Sequence, residues 1–211
     1  MGMADLEILG QRQFGAVGRD QAYARGFDKW TLRRLVSQRR LTQVAPNAFV
    51  FPGSPETWHR RLMAGMLDLG DNGFVSFRSA AVLLGYDSFP PGPLEYVMLD
   101  SAYIRRRGLI VHRTNNLPLI DRTTVGPFRL TSGARTVIDL ASIVTREQLG
   151  DAVDSCLRDG FASEIHLLGR LRELRGPGRG GPRLLDEVLS RRPLGGPMAS
   201  KAGADLRRDR A

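Results

Sequence analysis

Positively charged side chains are concentrated in one short stretch of this sequence, residues 19–43. The stretch holds seven cations against two acids, a net charge of +5 (7 − 2), out of +9 for the whole chain. Guanidinium groups neutralise phosphates, and their forked N–H donors match the O6 and N7 acceptors of guanine in the major groove. The chemistry that this stretch offers is therefore nucleic-acid binding. The cations are Arg19, Arg25, Lys29, Arg33, Arg34, Arg39 and Arg40.

Catalytic chemistry has little support in the sequence. The three histidines are far apart and none belongs to a metal-ligand motif: His59, His112 and His166. A restriction-type nuclease needs a lysine beside its acidic residues, but the two lysines, Lys29 and Lys201, lie in no such strand. Cys156 is the single cysteine, which excludes a disulfide framework and a cysteine-based zinc site. We predict no catalytic residue, no metal, no cofactor and no enzymatic activity.

The elements that would position the cations are three short helices and a hairpin. The pattern of apolar residues predicts helices at residues 3–14, 19–25 and 29–39. Asp28 is expected to cap the third helix, whose buried stripe is Leu32, Leu35 and Val36. The segments LTQV and AFVF then predict two strands that turn at Ala45-Pro46-Asn47. This order predicts a winged helix-turn-helix DNA-binding domain over residues 1–53.

The third helix supplies most of the candidate DNA contacts. Lys29, Thr31, Arg33, Arg34 and Ser37 are expected to face the major groove, with Arg39 and Arg40 near phosphates. The hairpin adds Gln43 and Asn47 as backbone contacts. Trp30 is expected to pack on the second helix, and a contact with a DNA sugar is the alternative for this residue. The alternative for the third helix as a whole is an ordinary helix with a solvated basic face.

For residues 54–192 we predict a mixed α/β region followed by helices, and for residues 193–211 a flexible tail. The predicted fold class of the whole chain is therefore α+β. Three strands are expected at 94–99, 109–113 and 124–130. Arg105–Arg107 would form a charged hairpin turn between the first two; a phosphate contact or a partner surface are the alternatives. In the next helix, Thr131 or Ser132 would be the cap, and Arg135 and Asp139 an i, i+4 ion pair.

Several segments together resemble one known family. They are GFDKWTLRRLVSQRRLTQVAPNAFVFPG, TWHRRLMAGML, SFRSAAVLLG, VHRTNNLP and LTSGARTVIDLA. The most specific piece is the pattern T-x-x-x-R-T-x-x-D, carried by Thr131, Arg135, Thr136 and Asp139. Over about residues 5–192 the chain is similar to the AbiEi-type antitoxins and transcriptional regulators of actinobacteria, which belong to type IV toxin–antitoxin systems.

The resemblance implies a winged helix that binds operator DNA and represses its own operon beside a nucleotidyltransferase-like toxin. It also implies that the endonuclease-like C-terminal domain of longer relatives is absent, and that residues 54–192 form a platform that dimerises or faces the toxin. Two other functions stay open: a protein-interaction module that neutralises the toxin, and the DNA-targeting remnant of a Vsr-like endonuclease. With no secretory signal and no apolar run of the ~18 residues that a membrane span needs, we expect a cytoplasmic protein.

Overall fold

The structure is a computed structural model that describes residues 2–99, 105–174 and 181–190, the last range without the side chains of residues 181 and 182. Both helices and strands are present in these ranges, which confirms the predicted α+β class. The chain divides into two compact units: the first comprises residues 1–80 and 91–131, the second residues 81–90 and 132–211. The predicted tail, 193–211, lies outside the described residues.

The N-terminal part of the first unit combines three helices with a small antiparallel sheet of strand order β1-β3-β2. Its core consists of Leu6, Val17, Ala22, Leu32, Leu35, Leu41 and Phe49. The sequence did not predict β1, whose three residues are all buried and so show no alternation. The elements are α1 (Met3–Arg12), β1 (Ala16–Gly18), α2 (Arg19–Tyr23), α3 (Lys29–Ser37), β2 (Thr42–Ala45) and β3 (Ala48–Val50).

The rest of the first unit is a five-stranded mixed sheet of order β6-β5-β4-β8-β7. A short 3-10 helix, Leu119–Asp121, precedes β7. One helix, α4, packs on both sheets. The first unit therefore continues beyond residue 53, the position at which the sequence predicted that the first domain ends. The elements are α4 (Trp58–Leu69), β4 (Gly73–Val75), α5 (Phe77–Leu84, shared between the two units), β5 (Leu94–Leu99), β6 (Leu109–Thr114), β7 (Arg122–Val125) and β8 (Phe128–Thr131).

Two predictions about these strands are wrong. Strands β5 and β6 pair in parallel, so Arg105–Arg107 cannot be a hairpin turn, because a hairpin joins antiparallel strands. The strand expected at 124–130 is instead an antiparallel pair, β7 and β8. Gly126 lies between them with φ of 52°, a left-handed conformation that favours glycine and lets the chain reverse.

Gly65 lets α4 lie directly against Tyr96 of β5. A Cβ at this position would overlap the hydroxyl of Tyr96 and lie 2.8 Å from its Cζ. Tyr96 is fully buried, and its hydroxyl donates a hydrogen bond to the Leu62 carbonyl at 2.8 Å. Moving the Tyr96 side chain would therefore break this hydrogen bond and disturb the packing around it.

We therefore expect Gly65→Ala to lower the free energy of unfolding by about 1–3 kcal/mol, the usual cost of overpacking a core. Urea unfolding followed by circular dichroism measures it. In a Tyr96→Phe background the same substitution should cost less, because the overlapping hydroxyl is gone. An equal cost in both backgrounds would contradict the overlap with the hydroxyl as its cause.

The second unit is helical, and its helix starts follow the sequence signals. Thr145 and Gln148 form the predicted capping box of α7. The Ser132 hydroxyl accepts a hydrogen bond from the Arg135 N–H at the start of α6, and the predicted Arg135–Asp139 ion pair is present with Nε and Oδ1 2.9 Å apart. Both predictions are confirmed. The unit contains α6 (Gly133–Leu140), α7 (Arg146–Arg158), α8 (Glu164–Glu173) and α9 (Gly181–Ser190). Throughout the described residues, the helices are too short or too polar to cross a membrane.

Candidate nucleic-acid interface

Local hydrogen bonds fix both ends of α3. At its start, the Asp28 carboxylate accepts a hydrogen bond from the Thr31 N–H at 2.7 Å, which confirms the predicted cap. This backbone hydrogen bond is the main reason why the pKa of Asp28 is lowered from its ordinary value. At its end, Arg39 takes a left-handed conformation (φ 57°), and the Arg40 N–H donates to the Leu35 carbonyl at 2.9 Å. The helix therefore begins and ends at defined residues.

One side of α3 is anchored in the core and the other faces solvent. Leu32 and Leu35 are buried. Since successive residues turn by about 100° around a helix, the opposite side carries four exposed residues, and a fifth, Lys29, is exposed at its edge. We call them the α3 surface: Lys29, Trp30, Arg33, Arg34 and Ser37. Trp30 and Ser37 fall nearest its middle, and the two arginines flank them.

Trp30 does not pack on α2, so that prediction is wrong. Its side chain is 71% exposed. The Arg33 guanidinium lies over its indole, 5.3 Å from the ring centroid. The physical reason is the helical spacing: Leu32 and Leu35 occupy the core side, and a residue two positions before Leu32 must point away from it. The same spacing was visible in the sequence.

A cleft beside α3 brings together cations from two elements. Arg19 at the start of α2 and Lys29 and Arg33 of α3 line it, with Tyr23 and Gln43. The Arg19 guanidinium also donates a hydrogen bond to the Pro46 carbonyl in the turn between β2 and β3. The predicted DNA contacts included neither Arg19 nor Tyr23. Arg19 and Tyr23 lie before α3 in the sequence, so the helical spacing of α3 did not indicate them, although Arg19 belongs to the basic stretch of residues 19–43.

Four of the predicted DNA-contacting residues, on α3 and directly after it, differ in their exposure and in their interactions. Thr31 is half-buried and lies off the α3 surface. Ser37 is exposed, and its hydroxyl donates to the Arg34 carbonyl at 2.9 Å. Arg39 is exposed, whereas Arg40 lies 3.8 Å from the Glu7 carboxylate, with both side chains about half exposed. A pair this open to water is weak and leaves Arg40 able to exchange partners.

The turn of the hairpin is tied to α4 through Asp68. The Asn47 N–H donates to Asp68 Oδ1 at 2.7 Å, and the Asn47 side-chain amide donates to the Asp68 carbonyl at 3.0 Å. Asn47 therefore has both its backbone N–H and its side-chain amide nitrogen engaged inside the protein. Gln43 is exposed, and its amide donates weakly to the carbonyls of Ala45 and Pro46 at 3.3 and 3.2 Å.

Asp68 also binds the basic segment before β6. Its Oδ2 atom accepts from Arg106 Nε at 2.6 Å, and the Asp68 side chain is fully buried. This ion pair gives Arg106 an internal role, which the three interpretations of Arg105–Arg107 in the sequence did not include.

Two of the histidines pack against aromatic rings. His59 stacks on Phe14 with 5.2 Å between ring centroids, and His112 on Phe77 at 3.7 Å. Burial lowers the pKa of His112 from its ordinary value. Within the described ranges, no three residues of the metal-ligating types cluster closely enough to hold a metal ion.

Comparison with known proteins identifies no family for this chain. No protein-family model matches the chain, and no curated protein matches it in sequence. Among solved structures, the chain is similar to the RV2827C protein from Mycobacterium tuberculosis, with a TM-score of 0.40 and 15% identity over 83% of this chain and 75% of that one.

Proposed function

We propose that this protein is a DNA-binding transcriptional regulator, in which residues 1–53 act as a winged helix-turn-helix and α3 enters the major groove. The observation that carries the proposal is the α3 surface. Two arginines, a lysine, a serine and a tryptophan project from one side of a helix whose other side is held by Leu32 and Leu35. The order α1-β1-α2-α3-β2-β3 supports it, because a winged helix arranges helices and hairpin in this order.

The residues divide by the kind of contact that they can make. Arg33 and Arg34 carry the planar donor forks that pair with guanine, so we assign them to base edges. Lys29 and Arg39 suit phosphates, and Arg19, which shares a cleft with Lys29, joins them. Ser37 lies beside Trp30 at the middle of the α3 surface, and we assign it to base edges, where a serine hydroxyl suits any base. Gln43, on the exposed strand β2, is the hairpin's contact, whereas Asn47 is engaged with Asp68 and is given no DNA contact.

With the AbiEi resemblance, the proposal becomes a regulator of antitoxin type that represses its own operon without enzymatic chemistry. The DNA upstream of its own gene is then its target, and a nucleotidyltransferase-like toxin its protein partner.

A fluorescence-anisotropy titration tests the proposal. The purified protein is titrated against the duplex upstream of its own gene and against a scrambled duplex, at two salt concentrations. We expect preference for its own duplex, and a plot of log affinity against log salt that falls by about 0.9 per phosphate contact. Arg33→Ala/Arg34→Ala should remove the preference, because each base contact contributes about 1–3 kcal/mol.

The matched control is Arg61→Ala/Arg172→Ala, which removes the same charge from two exposed arginines on α4 and α8. It should keep the preference for the upstream duplex. If the unmodified protein bound both duplexes equally and with the same sensitivity to salt, α3 would be a cationic surface that binds DNA without sequence preference. No binding at all would favour the protein-interaction function instead.

A further inference from the structure

Trp30 occupies an unusual position for a large apolar side chain. Isolated apolar residues on a protein surface need no explanation. Trp30, however, lies near the middle of the α3 surface with 71% of its area exposed, and cationic residues surround it. In the proposed complex this position faces the floor of the groove rather than its phosphate walls. A side chain here meets base edges.

The major groove offers few groups that suit an indole. Base edges there present hydrogen-bond donors and acceptors, and the apolar exception is the C5-methyl group of thymine. An apolar contact with that methyl group would remove both surfaces from water. The chemistry of Trp30 therefore matches thymine better than any other base.

Arg33 extends this match to a second base. Its guanidinium lies over the Trp30 ring at 5.3 Å, within the range of a cation–π interaction. This contact favours a guanidinium that already lies beside the indole before DNA arrives, so less side-chain freedom is lost on binding. A guanidinium so placed suits the O6 and N7 atoms of guanine. The two side chains together present an apolar surface next to a guanine-reading fork.

We propose that Trp30 determines sequence specificity by contacting a thymine methyl group, next to a guanine that Arg33 reads. This inference rests on the proposed function, since it requires α3 to lie in the major groove. It adds a base preference for the bound sequence, a thymine adjacent to a guanine. It also gives Trp30 two roles: a direct contact with thymine, and positioning of the Arg33 guanidinium.

Base analogues that change single atoms test the inference. In the upstream duplex, each thymine is replaced in turn by deoxyuridine, which removes the methyl group, and each guanine by 7-deazaguanine, which removes N7. The unmodified protein should lose about fourfold in affinity at one thymine, the loss expected for one buried methyl group. It should lose roughly tenfold at an adjacent guanine, where a bidentate contact is broken.

Three variants separate the two roles. Trp30→Ala should bind the thymine and deoxyuridine duplexes equally, and its sensitivity to 7-deazaguanine should shrink because Arg33 is no longer held. Arg33→Ala should lose the guanine effect and keep the thymine effect. Trp30→Phe keeps an aromatic surface and should retain part of both. Because Trp30 is largely exposed, the variants should keep the circular dichroism spectrum of the unmodified protein.

The outcomes distinguish this inference from the proposed function. If the protein prefers its upstream duplex and no single deoxyuridine weakens binding, the regulator stands and the role of Trp30 is overturned. The same holds if Trp30→Ala still distinguishes thymine from deoxyuridine. If the protein prefers no duplex, both fail, and the exposed indole belongs to a surface for another kind of partner.

Discussion

Replacing Asp68 with alanine is expected to lower the free energy of unfolding by about 2–4 kcal/mol, since buried donors and charges that lose a partner are costly. The fully buried Asp68 carboxylate accepts from the Asn47 N–H and from the Arg106 guanidinium, at 2.7 and 2.6 Å. The substitution removes both acceptors at once. Urea unfolding followed by circular dichroism measures the change.

Asp71→Ala is the matched control. Asp71 also pairs with an arginine, Arg129, at 2.9 Å, but its side chain is fully exposed. Exposed ion pairs contribute about 0–1 kcal/mol, so this variant should unfold almost as the unmodified protein does. Similar losses in the two variants would show that burial of Asp68 does not determine its contribution.

The Asp68 substitution should also affect DNA binding, although Asp68 lies outside the α3 surface. Its contacts with Asn47 fix the turn between β2 and β3, and the Pro46 carbonyl in that turn accepts a hydrogen bond from Arg19. A loosened turn therefore releases Arg19 and Gln43 from their positions. We expect Asp68→Ala to weaken binding of all duplexes about equally, because these residues are assigned to the backbone and not to bases.

Short-range signals in the sequence were sufficient for much of the fold. The Asp28 cap and the spacing of Leu32, Leu35 and Val36 predict α3 to within two residues of its observed end. The predicted capping box of α7 and the limits of β5 are also confirmed. In each case the deciding interactions join residues that are close in sequence.

The features that the sequence did not predict depend on distant residues. Strands β1 and β4 have three residues each, too few for alternation to be visible, and their partners are remote. The parallel pairing of β5 and β6 is set by the sheet, and no residue in the connection between them indicates it.

The same division applies to the candidate site. Basic residues on α3 could be found from composition and helical spacing. The engagement of Asn47 with Asp68 could not, since 21 residues separate them and α4 must first pack on the hairpin. Trp30 is the instructive exception. Its exposure follows from helical spacing, and the general tendency of tryptophan to be buried was the wrong guide.

The largest single loss of stability should come from Arg135→Ala in the second unit. Arg135 is 3% exposed, and its Nε donates to both oxygens of the Asp139 carboxylate, at 2.9 and 3.1 Å. Removing one member of a buried pair takes a close counter-charge from the other, at a cost of about 3–5 kcal/mol. Chemical unfolding measures it, with Arg172→Ala, an exposed arginine of α8, as the control that should change little.

A double-mutant cycle then shows whether the pair itself is responsible. Arg135→Ala/Asp139→Ala should cost less than the sum of the single variants, because the interaction between the two charges is lost only once in the double variant but is counted in both single variants. Additive losses would mean that Arg135 acts through its other neighbours. If the cycle shows coupling while DNA binding by the α3 surface is unchanged, then the T-x-x-x-R-T-x-x-D pattern, the most specific part of the AbiEi resemblance, stabilises α6 and is not a binding site. Recognition of the family and recognition of DNA would then depend on different residues.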